Sequence, residues 1–150
     1  MGSLIPLTKG FTFIEVVVVV AIIAALLVAA GGITRTYQTE QAMQTASAVY
    51  AQALHRAQLL AQSGVGDSMW GVLIATSSVT LYKGARYAAR TSGFDEQYAF
   101  GSALTITGLS EVDFAKLTGS TVTTGTTTIS APGIAGTKSV GVNADGSVTF

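Results

Sequence analysis

Cysteine is missing from these 150 residues, and proline, histidine and charged residues are scarce. Without cysteine the chain cannot form a disulfide, use a thiolate in catalysis or bind zinc through sulfur. Charged residues make up 11% of the chain, against about 25% in ordinary soluble domains. Basic and acidic residues are equal in number, eight of each. No net field therefore recruits nucleic acid, and we expect no nucleic-acid partner.

Residues suited to catalysis or metal binding are few. His55 is the only histidine, and no partner for a catalytic triad is evident. Asp95 and Glu96 could form a calcium-ligand pair, and the turn at Asn143 and Asp145 could donate oxygens. No ladder of acidic residues of the EF-hand type accompanies them. We therefore expect no enzyme, no cofactor and no bound metal.

What the sequence has in excess is one apolar run near its start. Val16 to Ala30 reads VVVVVAIIAALLVAA, and no charge occurs between Glu15 and Arg35. This length approaches the roughly 20 apolar residues that cross a bilayer as a helix. No comparable run follows Arg35. The pattern predicts a single anchor at the N-terminus.

Three interpretations of this run compete. The first is a plain transmembrane anchor. The second is a secretory signal peptide, because Val28-Ala29-Ala30 before Gly31 satisfies the small-residue rule for signal peptidase. Against it, Lys9 and the amino terminus are the only positive charges before the run, and Glu15 stands at its edge. The third interpretation rests on the residues that precede the run.

The segment from Lys9 to Val16, KGFTFIEV, resembles the type IV prepilin motif. In that motif a short leader ends in glycine, and the mature chain opens Phe-Thr-x-Ile-Glu-Val. The resemblance implies that prepilin peptidase cuts between Gly10 and Phe11 and that the new amine of Phe11 is methylated. Glycine suits the position before the cut because a peptidase groove must admit bare backbone there. The apolar run would then remain on the mature protein.

Glu15 is an acidic residue at the start of the apolar helix. A carboxylate buried in lipid without a partner costs roughly 3 kcal/mol, whereas one among the headgroups costs little. In the pilin family, the acidic residue five positions into the mature chain pairs with the N-terminal amine of a neighbouring subunit. Glu15 occupies that position when Phe11 is the first residue. The resemblance implies that Glu15 directs the docking of helix against helix.

The sequence after the anchor predicts that the N-terminal helix continues into a second, amphipathic half. From Thr36 to Ser63 there is no proline or glycine, and good helix formers dominate. Apolar residues recur at spacings of three and four, as on one face of an amphipathic helix: Met43, Ala46, Tyr50, Ala53, Ala57 and Leu60. Counted from Phe11, the helix would have about 53 residues and span roughly 80 Å. The Gly-Gly pair at 31 and 32 predicts a weak point in the helix, at a position where many pilins carry proline.

Beyond Met69 the composition changes to threonine, serine, valine and glycine, and short runs predict strands. These runs are 70–76, 78–82, 103–107, 112–114 and 126–130, with a final hairpin of 140–142 and 147–150 around the turn at 143–146. Loops are expected at 64–68 and 92–97. The predicted fold class is α+β, a long N-terminal helix packed against a C-terminal antiparallel β-sheet head, as in the pilin fold.

These predictions divide the chain into four segments. Residues 1–10 form the leader, 11–35 the transmembrane and assembly helix, 36–66 the amphipathic helix and 67–150 the β-rich head. The head also resembles the H-type minor pseudopilins of the type II, or general, secretion system. The matching segments are 70–72, 81–84, 87–90, 112–114, 117–119, 125–129 and 142–146.

Together the two resemblances imply a structural subunit of a secretion pseudopilus. It would be held in the bacterial inner membrane by a single pass, with its head outside the cytoplasm. Implied partners are other pilin or pseudopilin subunits, prepilin peptidase, the assembly platform of the inner membrane and the lipid bilayer. Two alternatives stay open: a minor pilin of a type IV pilus serving adhesion, motility or DNA uptake, and a membrane-tethered β-domain that binds a ligand.

Overall fold

The computed structural model describes residues 10–100 and 104–150, with the backbone alone at 29–35. The predicted leader therefore lies outside the described residues, except for Gly10. The chain divides into two compact units, one ending at Arg35 and the other running from Thr36 to Phe150. Within the described ranges the chain forms one α-helix, eight β-strands and three short 3-10 turns.

The helix, α1, runs from Phe13 to Gln62 and has 50 residues, close to the predicted length. Its assigned backbone continues through the Gly-Gly pair at 31 and 32, where the sequence predicted a weak point. At its C-terminal end, the N–H of Gly64 donates to the carbonyl of Ala61 at 3.1 Å. Gly64 has φ 67°, a left-handed conformation that glycine adopts without steric cost and that commonly ends helices.

The amphipathic face predicted for the second half of α1 is confirmed. Met43, Ala46, Tyr50, Ala53 and Ala57 are all at most 2% exposed, and the sixth predicted position, at 60, is partly buried against the same core. The buried face is wider than predicted, since it also takes in three further residues: Ala51, Leu54 and Ala61. Each added apolar side chain removes further area from water, which favours packing of this half of the helix.

The strands form two antiparallel four-stranded sheets. Their bounds are β1 Trp70–Ile74, β2 Ser78–Lys83, β3 Glu96–Ala99, β4 Thr105–Thr107, β5 Glu111–Phe114, β6 Gly125–Ser130, β7 Lys138–Val142 and β8 Val148–Thr149. The first sheet has the order β3-β2-β1-β5 and the second β4-β6-β7-β8. The three 3-10 turns are Val65–Asp67, Tyr87–Ala89 and Ser92–Phe94. The α+β fold of the pilin-like type is confirmed.

One predicted loop was too long at its C-terminal end. The expected loop at 92–97 contains the start of β3, which pairs with β2 from Leu81↔Glu96 to Ser78↔Ala99. β3 is an edge strand whose last three residues are exposed, so it lacks the apolar alternation by which sequence patterns reveal strands. Its backbone pairing, rather than burial, makes it a strand.

The core lies between the amphipathic half of α1 and the inner faces of both sheets. The strands contribute Val72, Val79, Leu81, Val112, Phe114, Ile129, Val140 and Val142, all nearly or fully buried. One polar residue joins them: Thr127 on β6 is 0% exposed. Its hydroxyl donates to the carbonyl of Leu109 at 2.9 Å and lies 3.3 Å from the Tyr50 hydroxyl oxygen. The neighbouring Thr126 points outward and is exposed.

Candidate functional site

The start of α1 is fixed by a threonine cap. Gly10, Phe11 and Thr12 precede the helix in non-helical backbone. The N–H of Glu15 donates to the Thr12 carbonyl at 3.1 Å and lies 3.4 Å from the Thr12 side-chain oxygen. Val16 donates to the same carbonyl at 3.3 Å. Thr12 thus satisfies helix N–H groups that have no partner within the helix, and Thr12 to Glu15 has the spacing of a capping box.

The backbone at the predicted cleavage bond is open to solvent. Gly10 is exposed, and a Cβ placed on it would meet nothing within 4 Å. Phe11 is 82% exposed. Because neither residue is helical, the bond between them has the accessible, irregular backbone that a peptidase requires. Cleavage at Gly10 and methylation of Phe11 stay predictions from the motif.

Phe11 and Glu15 lie together on one side of the helix start. They line an open cleft of about 280 Å³ with Val16, Val19 and Val20. Glu15 is the one ionisable side chain in that lining, and its carboxylate makes no ion pair within the part of the chain that is described. A carboxylate beside apolar side chains favours any arrangement that brings it a positive partner.

The first half of α1 presents apolar side chains on every side. All its large hydrophobic residues from Phe13 to Val28 are exposed, from 45% at Val17 to 85% at Phe13. Monomeric soluble proteins rarely expose so large a continuous apolar surface, which marks a site of protein or membrane contact. No helix in the described part of the chain combines the length and the apolar character that crossing a membrane requires.

A second polar cluster lies on the outer face of the first sheet, and the sequence did not predict it. The Tyr82 hydroxyl oxygen lies 2.9 Å from Glu111 Oε1 and also within hydrogen-bond distance of Asp113 Oδ1, so its one proton is shared between two possible acceptors. Glu111 and Asp113 share one face of β5 because side chains two residues apart on a strand point the same way. Burial, and then the two carboxylates, raise the pKa of Tyr82. Burial chiefly raises the pKa of Asp113, with Glu111 adding to it and Tyr82 and Arg86 opposing it.

A glycine makes room for this cluster. Gly71 on the central strand β1 pairs with Tyr82 on one side and with Asp113 on the other. A Cβ on Gly71 would lie 2.5 Å from the Tyr82 hydroxyl oxygen and 2.5 Å from Asp113 Oδ1. The phenol can reach across to β5 only because this position has no side chain. The weak sequence signal was two acids two residues apart, Asp113 on the predicted strand 112–114 and Glu111 directly before it.

The carboxylates considered for calcium have other partners. Asp95 accepts from Arg90 Nε at 2.7 Å, and Glu96 accepts from Arg56 at 2.7 Å. Asp145 accepts from both the N–H and the hydroxyl of Ser147 within the final turn. Among the described residues, no group of three or more histidine, aspartate or glutamate side chains is arranged to hold a metal ion. His55 is exposed on α1.

Comparison with known proteins adds one match. The family model of the prokaryotic N-terminal methylation motif matches residues 7–31, a segment that contains the predicted cleavage bond, Glu15 and most of the apolar run. Comparisons with curated proteins and with solved structures find no match. The motif supports a type IV pilin-like chain that prepilin peptidase processes.

Proposed function

We propose that this chain is a structural subunit of a type IV pilin-like filament, cut between Gly10 and Phe11 and assembled through its N-terminal helix. The match to the methylation motif over residues 7–31 carries this proposal. It is supported by the exposed apolar surface from Phe13 to Val28 and by the Glu15 carboxylate without an ion-pair partner. Residues 11–35 would serve as the membrane and assembly helix, with the head outside the cytoplasm.

In this mechanism the Glu15 carboxylate selects the docking position of the next subunit. The methylated amine of Phe11 on a neighbouring copy carries a positive charge at neutral pH and matches Glu15. In an apolar environment, a paired charge is strongly favoured over an unpaired one. Apolar side chains supply the contact area between helices, while the charge pair fixes their relative position along the helix axis.

The finer proposal is a minor pseudopilin of the type II secretion system. It rests on the resemblance of the head, and its partners would be other pseudopilins and the assembly platform of the inner membrane. Deleting the chain's gene in its host tests this: we expect loss of secreted proteins from the medium while surface pili remain. Loss of pili with secretion intact would instead favour a minor pilin of a type IV pilus.

Processing is the first test. The full chain is expressed with and without prepilin peptidase, extracted from membranes and its intact mass measured. We expect peptidase-dependent loss of residues 1–10 and the addition of one methyl group at Phe11. A mature chain that begins at Gly31 would identify signal peptidase as the processing enzyme and would overturn the assembly mechanism. A chain left uncut with the peptidase present would also overturn the proposal and would indicate a plain anchor.

Assembly is tested by removing one charge. Glu15→Gln keeps the side-chain length and removes the carboxylate charge, so we expect cleavage to continue and incorporation into fibres to fall steeply. Glu40→Gln is the matched control, because Glu40 is an exposed acidic residue on the same helix. Sheared fibres are separated from membranes and the subunit is quantified in each fraction. Equal incorporation of both variants would contradict the role given to Glu15.

A further inference from the structure

The Tyr82 hydroxyl makes two hydrogen-bond contacts but has only one proton to donate. A phenol carries one proton and can donate one hydrogen bond, yet the Tyr82 hydroxyl lies within hydrogen-bond distance of both Glu111 and Asp113. When both carboxylates are ionised, one of these two contacts joins a pair of oxygens with no proton between them. One added proton on a carboxylate restores a donor for each contact.

The surroundings of the cluster make it energetically unfavourable for Glu111 and Asp113 to be ionised at the same time. Tyr82 is fully buried, and both carboxylates are half-buried on the same strand face, so their repulsion is weakly screened. The charged groups that face Asp113 are Glu111 on its own strand and Arg86 on the segment above it, while β1 contributes only Gly71. Arg86 is exposed, so solvent weakens its compensating effect.

The cluster is also an attachment point for an overlying segment, residues 84–95, called here the cover segment. The N–H of Tyr87 donates to Glu111 Oε1 at 2.6 Å, and the Tyr87 ring meets the Tyr82 ring edge-on at 5.4 Å. The Arg90 guanidinium lies 3.8 Å above the Tyr87 ring. The protonation state of the cluster therefore acts directly on the groups that hold the cover segment.

Solvent can deliver the proton. A cleft of about 200 Å³ opens beside the cluster and is lined by Arg86, Glu111, Asp113 and Thr123. A larger cleft of about 400 Å³ shares three of these residues, Arg86, Asp113 and Thr123. Asp113 lines both clefts and Glu111 only the smaller one, so Asp113 is the better placed of the two acids to exchange protons with water.

We propose that Tyr82, Glu111 and Asp113 form a proton-operated latch that holds the cover segment against the first sheet more tightly at mildly acidic pH than at neutral pH. The proton binds Asp113, which then donates within the cluster, while Glu111 remains the acceptor of the Tyr87 N–H. The latch belongs to the head and operates whether or not the chain assembles into a fibre.

The sign of the pH dependence follows from linkage. The pKa of Asp113 is raised above its ordinary value of 3.8, chiefly by burial. Between the ordinary and the raised value, the folded chain binds more protons than the unfolded chain, so this group adds stability as the pH falls. Its contribution is complete below the ordinary pKa and is lost as the pH rises through the raised one.

Hydrogen exchange on the full chain in nonionic micelles tests the latch. Protection of the cover-segment amides, corrected for the intrinsic exchange rate, is followed from about pH 4, next to the ordinary Asp113 pKa of 3.8, up to about pH 8. We expect several-fold greater protection at the acidic end in the unmodified chain. Protection that does not change with pH in the unmodified chain would overturn the latch, whatever the variants do.

Two variants assign the effect to its residues. Asp113→Asn replaces the acid with a permanent donor, so we expect high protection that no longer depends on pH, while the exposed Asp67→Asn control keeps the dependence. Arg86→Gln removes the facing cation and should move the midpoint to higher pH. A pH response that survives Asp113→Asn, or a midpoint that moves downward in Arg86→Gln, would show that another group is responsible.

Discussion

Gly71 is a single residue on which the polar cluster of the first sheet depends. Its neighbours across the strands, Tyr82 and Asp113, occupy the space where a Cβ would stand. The phenol and the carboxylate belong to different strands, yet they meet above this one position. The absence of a side chain here is therefore a structural requirement rather than a source of flexibility.

Gly71→Ala should consequently destabilise the head. The added methyl group overlaps the Tyr82 hydroxyl oxygen and Asp113 Oδ1, and overpacking of this kind typically costs about 1–3 kcal/mol. Gly93→Ala is the matched control, since a Cβ there meets nothing within 4 Å. Denaturant unfolding of the full chain in micelles, followed by fluorescence of the buried Trp70, measures both. A Gly71→Ala midpoint equal to that of the control would show that the cluster rearranges without cost.

At the scale of elements, one hydroxyl connects the helix with the second sheet. Thr127 on β6 reaches both the Tyr50 side chain on α1 and the carbonyl of Leu109. Burial raises the pKa of the Tyr50 hydroxyl, against a smaller lowering by its contact with Thr127. Among the largely apolar side chains of the core, such a polar contact fixes how the helix lies on the strand, since an unpaired buried polar group is costly.

Thr127→Val tests that connection. Valine keeps the shape but leaves the partners of the hydroxyl unsatisfied, so we expect a loss of about 1–3 kcal/mol in the free energy of unfolding. The adjacent Thr126→Val faces outward, where a change is usually within about 0.5 kcal/mol. Urea unfolding of both variants supplies the comparison. If the two variants lost stability equally, the cost would come from the strand and not from the buried contact.

The sequence predicted those elements that depend on local signals. The prepilin-like motif is contiguous, the apolar positions of α1 recur at helical spacing, and the strands other than β3 have a suitable composition. Local signals could not predict the Tyr82 cluster, because Glu111 and Asp113 lie 29 and 31 positions after Tyr82 along the chain. They meet only through the register of β1 with β2 and β5. β3 was missed for a related reason, since its pairing leaves little trace in side-chain pattern.

At the scale of the whole molecule, the described residues contain no group of three or more histidine, aspartate or glutamate side chains that could hold a metal ion. The acidic residues that the sequence offered for calcium, Asp95 and Glu96, each accept from an arginine instead. The Arg56–Glu96 pair joins α1 to β3, and the Arg90–Asp95 pair lies within the cover segment. The first pair is exposed, and exposed pairs are worth little individually.

We therefore expect the melting temperature of the full chain to be the same with a calcium chelator and with added calcium. A site that bound calcium only in the folded state would add about 2.7 kcal/mol at a hundred times its dissociation constant. Calorimetry of the full chain in micelles under both conditions distinguishes these cases. A rise in melting temperature that grows with calcium concentration would contradict the expectation.

The edge strands of the two sheets determine how readily another molecule can add a strand to them. In the described chain the outermost strands are β3 and β5 in the first sheet and β4 and β8 in the second. β4 has three residues and β8 two, while β3 carries Glu96 and β5 carries Glu111 and Asp113. Short or charged edges are poor templates for strand addition by another molecule. Strand addition from one copy of this head to the next is therefore disfavoured at all four edges.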